Sequence, residues 1–446
     1  MSLKCNPKMV FRRHPKGFKY WLVTMIFLPT ISVNASEISH NSALSITSAV
    51  ETALSNNPSL AEMQARYEAI AEIPSQMGAL PDPVITLGTM NFPTDTFDRE
   101  QEAMTQVQFG FSQMFPFPGK LSLQAEAAEF MANAAFFSVA EMQLKLAHSV
   151  TSKWWQIFYL DHAIDTIDTN QSLLRQFIEV ARTKYETGNG LQQDVLLSQL
   201  ELSKLIDKKI EVDSMRRQQV IVLNVLMDQP PQALMSLSTA VDQSLNSLLS
   251  ESILHQIAEK ERPLLKQKEQ SLLAAESRLG LAKKNYYPDF NISVAYGDRA
   301  GKNPAGLGGG ARSDMLSMML GIKIPLYADS KQSKAVKQRS IEYQQNRYAL
   351  LDQKNQVRSE ISASATDYER AKSQLLLLEN GILPQARQTV QSMLAGYQVS
   401  QVDFLNLVRS QITLFNYELQ YWKALAEAKQ SLSRLTAAVG KESIYE

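Results

Sequence analysis

Two rhythms of apolar positions divide this chain. In "VQFGFSQMFP", Val107, Phe109, Phe111 and Phe115 alternate with Gln108, Gly110, Ser112 and Met114. That period of two is the one a β-strand imposes by sending successive side chains to opposite faces. The same alternation runs through Phe290, Ile292, Val294 and Tyr296, and through Leu316, Met318, Leu320, Ile322 and Ile324, while Val84 to Phe92 reads as a fourth extended run. Strands are therefore expected at about 83–92, 106–116, 288–297 and 315–325. Gln113 interrupts the apolar row, which places it at an interface or a bend.

Nearly everything else follows helical spacing. Gly and Pro are absent from Leu121 to Thr187, from Leu191 to Met227, from Ala328 to Asn380 and from Tyr397 to Val439. At 1.5 Å per residue the first tract makes a helix roughly 100 Å long, several times the width of a small domain. Its counterpart carries a thin apolar seam, Ala335, Ile341, Tyr348, Leu351 and Ile361, amid Lys, Gln, Arg and Ser. Such a helix buries one narrow stripe and leaves its other faces wet, as in a solvated coiled coil or the wall of a water-filled tube. Long helical hairpins are expected at about 119–227 and 328–440. Pro384 is expected to bend or break its helix. Gly188 and Gly190 mark the first hairpin's reversal, whereas Val399 to Asp403 must turn the second without glycine.

The chain is written twice. Pro58-Ser59-Leu60 leads to "LPDP" as Pro263-Leu264-Leu265 leads to "YPDF"; Phe115-Pro116 closes one strand as Ile324-Pro325 closes another. Tyr185 and Ser198-Gln199 recur 212 residues later as Tyr397 and Ser410-Gln411. Shared order with slowly drifting spacing indicates duplication. Residues 36–242 form the first repeat and 243–446 the second, each reading helix, strand, strand, long helix, long helix, with a polar linker near Asp228 to Ser250.

Four strands, apolar on one face and small or polar on the other, have the length and pattern of membrane barrel strands. A barrel needs at least eight strands and leaves no edge in lipid, so several copies must share one barrel; three copies supply twelve strands. In that reading Phe109, Phe111, Phe290, Ile292, Val294, Leu320 and Ile322 face lipid. A half-buried sheet packed on a helix is the alternative.

Composition and charge narrow the setting. Six basic residues precede an apolar run from Tyr20 to Val33, followed by Val33-Asn34-Ala35, so residues 1–35 read as a secretion signal. Without them the chain carries 39 Lys and Arg against 45 Asp and Glu, a balance that argues against nucleic acid as partner. The single cysteine, Cys5, lies in the signal, leaving no disulfide and no lipid-accepting thiol. His40, His148, His162 and His255 lie far apart without metal-site spacing, and "GLGGG" at Gly306 to Gly310 lacks the Lys-Ser/Thr of a phosphate loop. Trp154-Trp155 reads as packing. No enzyme, cofactor or resident metal is expected.

The duplicated plan, "GALPDP" before the first strand, "FPFPGK" after the second, and the paired "YETGNGLQQDVLLSQ" and "YQVSQVDFLNLVRSQ" resemble the TolC-type outer membrane factors of Gram-negative bacteria. That resemblance implies a mainly α chain with a small membrane β-barrel. It implies a homotrimer whose twelve-stranded barrel, set in outer-membrane lipid, continues as an α-helical periplasmic tunnel. The partners it implies are a periplasmic adaptor (membrane fusion) protein and an inner-membrane resistance-nodulation-division pump. "FPFPGK" and Pro-Asp-Pro look most like members that serve exporters of heavy metals, which points to metal cations as cargo, with drugs as the other possibility. The hairpin tips that meet the adaptor would be Tyr185, Gly188, Leu191 and Asp194, and Tyr397, Ser400, Asp403 and Asn406. Ser400 stands where the family pattern has glycine. Some members carry an acidic constriction at positions that here are Leu394 and Gln391; Glu179, six residues before Tyr185, is the remaining candidate for a carboxylate ring at the entrance. A type I protein secretion channel and a periplasmic coiled-coil scaffold or adaptor are the alternative readings.

Overall fold

The computed structural model describes residues 43–303, 305–441, 444 and 445. The predicted signal segment, Cys5 and His40 lie outside them. The chain runs α1 (Ile46–Asn56), α2 (Pro58–Ala71), α3 (Ile73–Gly78), β1 (Val84–Met90), β2 (Gln106–Phe115), α4 (Lys120–Glu186) and α5 (Gln192–Leu226). The second series is α6 (Glu251–Glu261), α7 (Pro263–Lys284), β3 (Asp289–Asp298), β4 (Met315–Lys323), α8 (Gln332–Leu377), α9 (Leu383–Gln398) and α10 (Phe404–Val439). A single π-turn, Leu378–Ile382, joins α8 to α9. Adding 212 to the bounds of α4 gives Gln332 and Gln398, the first residue of α8 and the last of α9.

Of the expected bend or break at Pro384, the structure shows no break: the α-helix is interrupted by the π-turn just before the proline and then continues. Proline has no N–H and its ring crowds the carbonyl four residues earlier, that of Asn380. Asn380 sits within the π-turn, where the wider loop of backbone relieves the crowding, and the helical path continues to Gln398. Ser172, the equivalent residue, lies in uninterrupted α-helix.

The four strands form one antiparallel sheet in the order β1-β2-β3-β4. Register sets the faces. Phe109 pairs with Leu87 and Tyr296, Phe111 with Ile85 and Val294, and Ile292 with Leu320. Directly opposed residues share a face, so these side chains make one apolar surface. Gly110 pairs with Thr86 and Ala295, and Ser112 with Ser293, on the other face. Among the described residues no element covers the apolar surface: Leu87 is 77%, Phe109 54% and Leu320 62% exposed. Phe290 and Val294 are half-buried. β1 and β4 each pair on one side only, leaving two open edges. The two strand-to-strand loops are tied together at one end of the sheet, where Arg299 donates to the Ala103 carbonyl at 2.6 Å and Arg312 to that of Glu102 at 2.9 Å.

At the other end the sheet meets the helices. Pro116 and Pro325 lie just beyond β2 and β4, since neither can donate to a ladder. Gln113 donates to the Pro81 carbonyl at 2.7 Å, which accounts for a polar residue in the apolar row. "FPFPGK" and "YPDF" come together here: Lys120 is buried and donates to the Tyr287 carbonyl at 2.9 Å and to Asp289 at 2.7 Å, while Phe117 stacks on Tyr287 at 4.5 Å.

The largest apolar core gathers Trp154, Trp155, Ile157 and Phe158 of α4 with Ala49, Ala53, Leu223 and Leu425. Trp154 also donates to the Leu44 carbonyl at 3.0 Å. The linker is pinned across α8 and α10 by Tyr368, which donates to the Asn246 carbonyl at 2.7 Å, and Lys429, which donates to that of Ser244 at 2.8 Å. Arg262, 3% exposed, joins α4 to α7 by donating to Glu141 at 2.8 Å.

Candidate functional site

At the far end of the long helices the two hairpins turn by the same device. In the first, Gly188 N–H donates to the Tyr185 carbonyl at 3.0 Å and Asn189 N–H to that of Lys184 at 2.8 Å. In the second, Ser400 N–H donates to the Tyr397 carbonyl at 3.1 Å and Gln401 N–H to that of Gly396 at 2.9 Å. These bonds close the orphan carbonyls of a helix end and require a left-handed residue at the pivot. Gly188 supplies it at φ 74° and Ser400 at φ 62°, so serine adopts the conformation that glycine usually serves.

Each turn also needs one close approach, and the repeats meet it from opposite sides. A Cβ on Gly190 would lie 2.8 Å from the Lys184 Cβ, and one on Gly396 would lie 2.5 Å from a Val402 methyl. Residues 184 and 190 are the equivalents of 396 and 402 at the 212-residue offset. One member of each pair is therefore glycine, the second in the first repeat and the first in the second.

Placing the lysine at 184 has a consequence for the pair of hairpins. Lys184 reaches across to the second tip, donating to the Tyr397 carbonyl at 2.6 Å and to Ser400 Oγ at 3.1 Å, with its ammonium 4.4 Å from the Tyr397 ring centroid. Tyr397 packs with Leu174, Phe177, Ala181, Phe404 and Leu407 in a small tip core. Its hydroxyl is buried without a hydrogen-bond partner among the described residues. Burial first, then the charges of Asp194 and Asp403, push its pKa up to about 12. Burial and then Asp403 also raise the Asp194 carboxyl above its ordinary range.

The sequence-selected tip residues thus divide. Tyr185, Gly188, Leu191, Ser400, Asp403 and Asn406 are exposed, whereas Tyr397 and Asp194 are buried where the hairpins meet. Glu179 and Gln391 are exposed; Leu394 is half-buried against the tip core. Lys184 was missed by sequence reasoning. Its signal, a lysine opposite Gly396 in the repeat alignment, is visible only once the two tips are known to touch. Among the described residues no helix is long and apolar enough to cross a membrane, and no three metal-donor side chains cluster.

Comparison with known proteins agrees with this architecture. The model of the family described as outer membrane efflux protein matches residues 254–441, within the second repeat. No curated protein matches the chain. The crystal structure of VceC from Vibrio cholerae, an outer membrane protein, superposes with a TM-score of 0.74 at 18% identity, covering 89% of this chain and 96% of its own. CusC, whose structures concern folding and transmembrane channel formation, gives 0.76 at 17% identity over 89% and 92%. The outer membrane channel MtrE of Neisseria gonorrhoeae, in its open state, gives 0.73 at 14% over 89% of each chain. The uncovered apolar sheet at one end of paired 67-residue helical runs, the match of residues 254–441 to the outer membrane efflux protein family and the fold shared with VceC, CusC and MtrE make this chain similar to outer membrane efflux channels.

Proposed function

We propose that three copies of this chain form a passive conduit that carries cations from a periplasmic adaptor and an inner-membrane pump to the exterior. The observation that carries this reading is the sheet, whose apolar face is uncovered and whose β1 and β4 edges are both open. An unpaired backbone group in hydrocarbon costs several kcal/mol, so each β4 must find the β1 of a neighbour. Alternating strand directions make that pairing antiparallel, and three chains of four strands close a twelve-stranded barrel. A soluble scaffold would leave the same face in water, which disfavours that reading.

The exposed tip residues Tyr185, Gly188, Leu191, Ser400, Asp403 and Asn406 are the proposed adaptor surface. Tyr397 and Asp194 instead hold the tips together. Three copies of Glu179 would put a ring of carboxylates at the entrance and favour cations. The likeness of "FPFPGK" to metal-exporting relatives supports metal cations as one cargo. The test is planar-bilayer conductance of the purified oligomer. Cation-selective channels are expected, with Glu179→Gln lowering the selectivity; recovery of the protein in the soluble fraction without detergent would overturn the reading.

A further inference from the structure

One cavity joins features that wall packing does not require. It has a volume of about 500 Å³ and opens on a flank of α10, between α4 and the π-turn with the start of α9. Its floor is aromatic. His162 stacks on Trp422 with centroids 3.7 Å apart and planes 5° from parallel, while Tyr421 stands at 80° to Trp422 at 5.0 Å. The two rings of α10 therefore form a corner. Burial holds His162 below the ordinary imidazole range against the pull of Asp165 and Asp161, so at neutral pH it offers a π-surface and no charge.

The charges around this corner are unbalanced. Arg387, the only Lys or Arg among the described lining residues, is paired with Glu418 at 3.4 Å. Asp165 on α4 and Glu379 in the π-turn remain on opposite walls, exposed and without a side-chain partner among the described residues. Glu379 stands near enough to Tyr421 to act on its hydroxyl. An aromatic corner flanked by two free carboxylates attracts a cation through both ring quadrupole and charge, and the volume falls within the ordinary range for drug-sized ligands.

We propose that this cavity binds an amphipathic organic cation, a protonated amine or a quaternary ammonium or phosphonium, with its charge between Asp165 and Glu379 and its apolar body against Tyr421 and Trp422. A bare metal ion fits less well, because no three donor side chains converge among the described residues and the aromatic rings offer it no ligand atom. The inference deepens the conduit reading by naming a second class of cargo, and it rests on that reading.

The experiment uses the full-length oligomer in nonionic detergent, with tetraphenylphosphonium as probe, followed by calorimetry and tryptophan quenching. Saturable binding is expected, together with weakening of about tenfold or more in the Asp165→Asn/Glu379→Gln double variant and in Trp422→Leu. Neutral triphenylphosphine oxide should bind no better to the wild type than to the double variant. Should Trp422→Leu fail to assemble, the double variant decides, since both carboxylates are exposed and unpaired. Absence of saturable binding, unchanged affinity in the double variant, or displacement of the probe by equimolar zinc would overturn the proposal. Bilayer conductance separates the two readings: channels that conduct but do not bind remove the site alone, whereas protein that binds the probe but never conducts removes the conduit.

Discussion

Ser400 carries a cost that its equivalent Gly188 does not. A non-glycine residue in the left-handed region brings Cβ against the following carbonyl, a penalty of roughly 1–2 kcal/mol, partly offset here by the bond its hydroxyl accepts from Lys184. Ser400→Gly should therefore exceed Ser400→Ala in local stability by about 1 kcal/mol, read as slower amide exchange at residues 397–402. A ranking with alanine above glycine would contradict the strained assignment. Asp194 adds a pH dependence at the same site. Its carboxyl holds its proton more tightly in the folded tip than in the unfolded chain, so stability rises as the pH falls through its folded pKa and is lost as the pH climbs past it. Tip amides should be better protected in mild acid than at neutral pH, and Asp194→Asn should abolish the difference; a variant that keeps the wild-type pH profile would assign the effect to another group.

At the scale of elements the sheet makes the sharpest demand. Phe111 and Ser112 are adjacent in β2 but point to opposite faces, one among Ile85 and Val294, the other beside Ser293. Lysine on a lipid-facing barrel position costs about 2–4 kcal/mol near the bilayer midplane, whereas a lumen position accepts it. Phe111→Lys should abolish outer-membrane assembly, measured by the heat-modifiable oligomer on gels, while Ser112→Lys should assemble and change conductance. Equal assembly of both variants would remove the membrane assignment of the faces. The long helices pose a different problem. Arg262 and Glu141 are 3% and 4% exposed and pair between α7 and α4, with Glu360 also 3.7 Å from Arg262 and Lys145 3.5 Å from Glu141. Removing one member of such a buried pair costs about 3–5 kcal/mol when the other is left unpaired; Lys145, beside Glu141, offsets part of that loss. Arg262→Ala should lower the thermal midpoint sharply, and Arg262→Ala/Glu141→Ala should recover part of the loss.

For the whole molecule, the open edges and uncovered stripes are the surfaces that the proposed trimer would bury. Besides the sheet, α5 leaves Leu196, Leu200, Ile210 and Val225 exposed, and α8 leaves Ile341, Tyr348 and Leu351. These stripes lie at helical spacing on elements that flank the chain's own helix pairs, where a neighbouring copy would cover them. Cross-linking cysteines placed at Thr86 in β1 and Ser317 in β4 should yield a closed trimer band. A ladder of open multimers, or monomer alone, would overturn the closed-ring arrangement.

Much of this architecture was legible in the sequence because it depends on local period. Alternation of two marked the strands at Phe109 and Phe290, long tracts free of Gly and Pro marked the helices, and the repeat offset tied Tyr185 to Tyr397 before any contact was known. The count of four strands, by arithmetic alone, led to the shared barrel that is proposed above. What local period cannot express is which groups meet across hundreds of residues. The crossing of Lys184 to Tyr397, the reciprocal glycines 190 and 396, the π-turn that lets the helix continue past Pro384, and the corner of His162, Tyr421 and Trp422 are set by packing between elements. Spacing within a helix determines which face a residue takes; only the tertiary structure decides what that face encounters.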